Sequence, residues 1–149
     1  MDDFTRLMFL SEHMDTKEDI SEFEEILSHY HGRSDEITLV ELLSLFTDKC
    51  PYYEVMWGLV HLVEIWPKNV YVVAVIKSLN KKIGEASFWM DCLCSSMFND
   101  ESYFKIFKEN LKLGDKKSLL KLFEIMEKES THHATLIQEL RHELEQKKQ

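Results

Sequence analysis

Four glycines and two prolines are all the chain breakers in 149 residues. That is about a third of their usual combined share of roughly 12%. Sandwiches and barrels reverse direction every few residues, so this scarcity argues against a turn-rich all-β fold. It argues equally against a disordered, low-complexity chain. The length suits one domain, and a 44% hydrophobic content supplies a sizeable core.

The apolar residues recur with helical spacing almost from end to end. A first helix is expected from about Asp3 to His13, with Phe4, Leu7, Met8 and Leu10 on its apolar face. A second starts after Asp15-Thr16, carries Ile20, Phe23, Ile26, Leu27 and Tyr30, and stops at Gly32. Ser34 is expected to cap a third, whose inward face is Ile37, Val40, Leu43 and Leu45-Phe46. Pro51 opens a fourth helix, Tyr52 to Trp66, which is apolar around most of its circumference and reads as a buried central helix.

The segment from Val70 to Ile83 has the β-branched composition of a strand. A lone strand would leave its backbone groups unpaired, whereas Val70, Val73, Ile76, Leu79 and Ile83 fit a 3.6-residue period, with Asn69 as the cap. A fifth helix is therefore expected there. Gly84 separates it from a sixth, Glu85 to Phe98; Asn99-Asp100 leads into a seventh, Glu101 to Leu113. Gly114-Asp115 starts an eighth, Lys116 to Lys128. A terminal segment from Thr131 carries a narrow stripe of Leu136, Ile137, Leu140 and Leu144 before Lys147-Lys148-Gln149. That stripe either packs lightly or meets a partner, and it leaves open whether the protein is a monomer or a dimer.

Helices three, five and seven are expected to start near 36, 69 and 101, and helices four, six and eight near 52, 85 and 115. A period of roughly 30 to 33 residues is close to that of α-solenoids. The chain thus reads as a single all-α domain over residues 1–149. It is built of stacked antiparallel helix pairs, either as a short HEAT-like solenoid or as an irregular helix bundle.

The net charge of −9 disfavours nucleic acid, which is held by basic patches, and disfavours an anionic membrane surface. It suits a basic protein partner, and it also serves solubility alone. The three cysteines, Cys50, Cys92 and Cys94, make a poor disulfide framework. The acidic start Met1-Asp2-Asp3 does not resemble a signal peptide, and charged residues interrupt every apolar stretch. A reduced, cytoplasmic protein is expected.

Catalytic chemistry finds little footing. The glycines are isolated, so no phosphate-cradling loop is present. Cys92 and Cys94 lie in an apolar run that raises a thiol's pKa. Glu129-x-x-His132 and Glu139-x-x-His142 echo the carboxylate–histidine spacing of di-iron bundles. Both sit on one charged terminal segment, however, where a polar helix surface is the simpler reading. No catalytic residue, metal or cofactor is expected.

The fourth helix is the most informative stretch. Glu54, Trp57, His61 and Glu64 fall on one face, opposite Val55, Leu59, Leu62, Val63 and Trp66, and Gly58 flanks the stripe. Tryptophan is a frequent binding hot spot, and flanking carboxylates select a basic partner. The same residues also fit a plainer arrangement in which His61 pairs with Glu64 and Trp57 is core. In a stack of pairs, helices six and eight would line the same surface, adding Trp89, Asp91, Glu124 and Glu127 to an acidic, aromatic, concave face.

The run Tyr52-Tyr53-Glu54-Val55-Met56-Trp57-Gly58-Leu59-Val60-His61-Leu62-Val63-Glu64 follows a helix ending in Asp48-Lys49-Cys50-Pro51. With Leu42-Leu43-Ser44-Leu45-Phe46 and the valine-rich helix after it, this run resembles the immunity protein 30 family over about residues 20–115. The amphipathic segment 116–149 lies outside the resemblance. Members are small bacterial proteins encoded beside polymorphic toxins. The resemblance implies an all-α cytoplasmic protein, not an enzyme, that binds and blocks a cognate toxin domain. The residues expected to carry the contact are Tyr53, Glu54, Trp57, His61, Glu64, Trp89 and Asp91. A nuclease toxin would have a basic cleft that such a face could occupy as a phosphate mimic. A solenoid-like adaptor with no toxin partner is the alternative.

Overall fold

The computed structural model describes residues 2–146. Among them lie nine α-helices and no strand: α1 (Asp3–Glu12), α2 (Lys17–Ser28), α3 (Glu36–Leu43), α4 (Tyr53–Val63), α5 (Lys68–Glu85), α6 (Ser87–Phe98), α7 (Glu101–Glu109), α8 (Lys116–Glu129) and α9 (Ala134–Gln146). A 3-10 turn over Leu111–Leu113 links α7 to α8. The all-helical expectation holds, and the valine-rich segment is helical throughout.

Short polar side chains begin five of these helices by accepting the free backbone N–H groups of the first turn. Asp2 takes Thr5 N, Asp35 takes Thr38 N, Asp100 takes Ser102 N and Tyr103 N, and Asp115 takes Ser118 N. Thr16 and Asp19 form a reciprocal capping box at α2.

Several boundaries move from their expected places. Asp35, not Ser34, caps α3; the Asp35 carboxylate also accepts from the Thr38 hydroxyl, and its carbonyl accepts the Trp66 indole N–H at 2.9 Å. The inward face of α3 is Leu39, Leu42 and Leu43, while Ile37 is 75% exposed and Val40 is also exposed. Both stripes are apolar, and the packing of α3 on α5 and α4 selects one of them. Pro67, not Asn69, precedes the first turn of α5, and that helix runs straight through Gly84 to Glu85. Ala86, fully buried at the α5–α6 junction, is the real break. Gly32, with φ 89°, turns the chain four residues after α2 has ended.

The helices form two rows. In one row α3 packs on α5 and α5 on α7; in the other α2 packs on α4 and α6 on α8. The odd helices begin at Glu36, Lys68 and Glu101 and the even ones at Tyr53, Ser87 and Lys116, close to the spacing read from sequence. The central helix is α5 rather than α4. It touches α3, α6, α7, α8 and the 3-10 turn, burying Tyr71, Val72, Ala74, Val75, Ile76 and Leu79. The terminal stripe is resolved in favour of packing: Ile137, Leu140 and Leu144 are buried as α9 closes on α8 and the 3-10 turn. Lys108 to Glu139 at 3.0 Å and Arg141 to Glu127 tie α9 down further. The expected basic end, Lys147-Lys148-Gln149, lies outside the described residues.

Three stability predictions arise from this architecture. Gly84 is the penultimate residue of α5 and its added Cβ would meet nothing within 4 Å, so Gly84→Ala should stabilise the fold by about 0.5 kcal/mol through helix propensity in the last turn. A Cβ at Gly114 would lie 2.9 Å from Ile76 Cγ2 and 3.0 Å from Leu119 Cδ1, so Gly114→Ala should destabilise by about 1 to 3 kcal/mol through overpacking. Chemical denaturation of both variants checks the opposite signs. The Thr38 hydroxyl, followed by the Thr38 N–H, holds the Asp35 carboxyl at about 2, below its ordinary 3.8. Its folded pKa is lowered, so its contribution is present above pH 3.8 and is lost as pH falls toward 2. Asp35→Ala should lower the melting temperature by about 3 °C at neutral pH. That gap should close in melts taken at progressively lower pH through this window.

Candidate functional site

The polar stripe of α4 exists as expected, and the surroundings of Trp57 change its meaning. Val55, Leu59, Leu62, Val63 and Trp66 are buried, while Glu54, Trp57, Gly58 and His61 face solvent and Glu64 is half-buried. Trp57 is 40% exposed and Tyr53 55% exposed. Neither is core.

Tyr53 and Trp57 lean against α6. Trp89 is fully buried between the two helices, with its ring 5.2 Å edge-on from Trp57, 5.8 Å edge-on from Tyr53 and 6.1 Å from Phe46 beneath. Phe88, 39% exposed, stacks on Tyr53 at 5.6 Å and meets Trp89 edge-on at 4.8 Å. Tyr53, Trp57 and Phe88 thus form an exposed aromatic patch over one buried indole. Edge-to-face pairs of this kind are favourable beyond the area they bury, so each exposed ring is held by its contact with Trp89.

The patch owes its position to the segment between α3 and α4. Lys82 of α5 is 5% exposed and donates its ammonium to the Phe46 carbonyl at 3.0 Å and to Glu85 at 2.9 Å. Asp48 N–H donates to the Glu85 carbonyl, and the Asp48 carboxylate accepts from Ser87 Oγ and Phe88 N. A residue 39 positions upstream of Ser87 therefore caps α6, which has no side-chain cap of its own. This clamp sets α6 beside α4 and turns Phe88 outward. Phe88 was not singled out in the sequence. Phe88 lies in one apolar run with Trp89 and Met90, both buried, and nothing in the spacing along α6 separates it from them.

The remaining candidates separate. Trp89 supports the patch from below and offers no surface of its own. Asp91 is half-buried, accepts from Ser95 Oγ at 2.9 Å, and acts electrostatically on Cys92, Cys94 and His133. It belongs to the flank of α6 toward the α8–α9 turn, away from Tyr53 and Trp57. Glu127 is engaged by Arg141 and Gln138 of α9, and Glu124 by Lys128, so α8 does not extend the face in the way the repeat suggested. His61 Nδ1 stands 3.9 Å from Glu64 Oε1, and Glu64 Oε2 accepts from Ser96 Oγ at 3.2 Å. The His61–Glu64 pair exists, and it leaves His61 in solvent.

On the other side of the stripe, α2 and α4 flank a groove of about 420 Å³, with Leu27, Gly58, Leu62 and Ile65 in its walls and His31 and His61 at its edges. A Cβ on Gly58 would meet nothing within 4 Å, so the space beside it is open.

The thiols are poor nucleophiles. Burial, followed by the Asp91 charge, pushes Cys92 up to about 11 and drives Cys94 higher still, and burial also raises Cys50. Among the described residues no group of three or more His, Cys, Asp or Glu is placed to hold a metal ion. His133, next to His132 on the segment expected to be a polar helix surface, is buried: its Nε2 pairs with Asn99 Oδ1 at 2.8 Å and its ring meets Phe98 edge-on. No helix among the described residues is long and apolar enough to cross a membrane.

The profile of the immunity protein 30 family matches residues 11–107, somewhat beyond the expected N-terminal limit and short of the C-terminal one. The match spans the end of α1 through most of α7, and all of Tyr53, Glu54, Trp57, His61, Glu64, Phe88, Trp89 and Asp91 fall inside it. No curated protein and no solved structure matches the chain. On the extent of the matched span, the chain belongs to the immunity protein 30 family.

Proposed function

We propose that the protein neutralises a cognate toxin domain in the cytoplasm by binding it through the α4–α6 face. Tyr53, Trp57 and Phe88 are the anchors; Glu54, His61 and Glu64 form the polar line beside them. The observation that carries this reading is the exposure of three large aromatic rings around one fully buried indole. Aromatic side chains are expensive to leave in water and are the commonest hot spots when a partner covers them. A patch already fixed by its own ring contacts loses little conformational entropy on binding.

Charge supports the choice of partner. The chain carries −9, and the carboxylates of Glu54 and Glu64 sit toward the two ends of the exposed stripe. Such a face steers a basic surface toward it and repels an acidic one. A toxin whose cleft holds phosphate would present that basic surface, and the acidic stripe would then stand in the place of the phosphates. The protein acts by occupying the cleft, with no turnover of its own.

The test is co-expression with the toxin domain encoded by the neighbouring gene, scored by growth rescue and by titration calorimetry of the purified pair. Trp57→Ala and Tyr53→Ala should each weaken binding by about 2 kcal/mol, roughly 30-fold, and Trp57→Ala should abolish rescue. Glu54→Gln with Glu64→Gln should slow association several-fold and flatten its salt dependence. Ile37→Ser, on the exposed side of α3, should change neither. Full affinity in the Trp57 and Tyr53 variants would place the contact on another face.

A further inference from the structure

The stripe of α4 ends at a recess that the aromatic patch does not use. Between α4, α5, α6 and α7 lies a space of about 150 Å³ lined by Glu64, Tyr71, Ser96, Met97, Asp100 and Tyr103. One ordered water needs roughly a tenth of that room. Tyr71 in its wall is 1% exposed, and its hydroxyl has no hydrogen-bond partner among the described residues. A buried polar group left unpaired is rare in folded proteins and costs about 1 to 3 kcal/mol. Burial, followed by the nearby Glu64 charge, raises the phenol's pKa, so the group stays a neutral hydroxyl able to accept or donate.

Among the other lining groups Glu64 and Asp100 are acceptors, the Ser96 hydroxyl donates to Glu64 and keeps its oxygen lone pairs, and Tyr103 offers a ring face. Glu64 brings a half-buried carboxylate whose nearest contacts are Ser96 Oγ and the distant His61 ring. Asp100 uses Oδ1 to cap α7, and Oδ2 accepts no hydrogen bond among the described residues. Tyr103 meets Tyr71 edge-on at 6.1 Å. One cation already stands at the rim: Lys68 donates to Ser102 Oγ at 2.7 Å and lies 5.0 Å over the Tyr103 ring. Two carboxylates against one ammonium leave the recess negative.

We propose that this recess is a socket for a guanidinium group, presented by an arginine of the docked partner. A guanidinium is planar and carries five N–H donors. It would pair with Glu64 and Asp100, donate to the Tyr71 and Ser96 oxygens, and stack on tyrosine rings. The bearer of the arginine rests on the toxin-binding reading; the socket itself is a property of the free protein. Glu64 belongs to both the stripe and the recess, so a partner seated on Trp57 has the recess within the same footprint.

The experiment titrates the free, full-length protein with ethylguanidinium chloride at constant ionic strength, followed by the Met97 methyl and Ser96 amide NMR signals. Ethylurea serves as the neutral compound of the same shape. Saturable shifts with ethylguanidinium and none with ethylurea are expected. Glu64→Gln should weaken the response at least about fivefold. Tyr71→Phe, which keeps the ring and deletes only the hydroxyl, should weaken it as well. An equal response to both compounds, no saturation, or unchanged binding in Glu64→Gln would overturn the socket and leave a hydrated hollow. Such a failure would not touch the Trp57 and Tyr53 results, which read the interface on its own.

Discussion

The buried ammonium of Lys82 is the contact on which the exposed α4–α6 aromatic face depends. It neutralises no partner deep in the core; it binds the Phe46 carbonyl and the half-exposed Glu85 carboxylate, and so pins the α3–α4 segment to the end of α5. Asp48, two residues further along that segment, then caps α6. An ammonium so placed is worth keeping only because each hydrogen-bonding group there has a partner; removing the lysine would strand a carbonyl and loosen the cap together. Helix order, the cap of α6 and the outward turn of Phe88 are therefore one event.

With α6 held beside α4, the seam between them is filled by rings. Trp89 occupies the gap, and Tyr53, Trp57 and Phe88 close over it while remaining partly in water. The result is a surface with apolar anchors and a polar margin, the arrangement in which a few residues carry most of a protein interface's energy. On one side lies the open groove beside Gly58 and on the other the recess at Tyr71. The rest of the molecule serves as a stiff support, with α5 buried through the middle and α9 closing the far end.

Much of this was legible without coordinates, and the reasons are local. Caps such as Thr16, Asp100 and Asp115 announce themselves because a short acceptor side chain meets free N–H groups two or three residues on. The valine-rich stretch reads as helix because an unpaired strand cannot satisfy its backbone. The stripe of α4 reads correctly because its two faces differ sharply in polarity. Local signals fail where two answers are equally apolar, as on α3, where Ile37 and Val40 compete with Leu39 and Leu42. They mislead at Gly84, where a glycine inside the last turn of α5 costs too little to end the helix before Glu85.

What the amino-acid order settles alone is that the chain is helical, where most helices begin, and which residues of α4 avoid the core, because each follows from neighbours within four positions. Only the tertiary structure decides that α5 is the centre, that Trp89 supports a surface it does not join, that Phe88 completes the patch, and that Asp91 belongs to another flank. Those outcomes depend on pairings such as Asp48 with Phe88, 40 residues apart, and Tyr53 with Trp89 across two helices. No periodicity along a single helix contains the distance between helices.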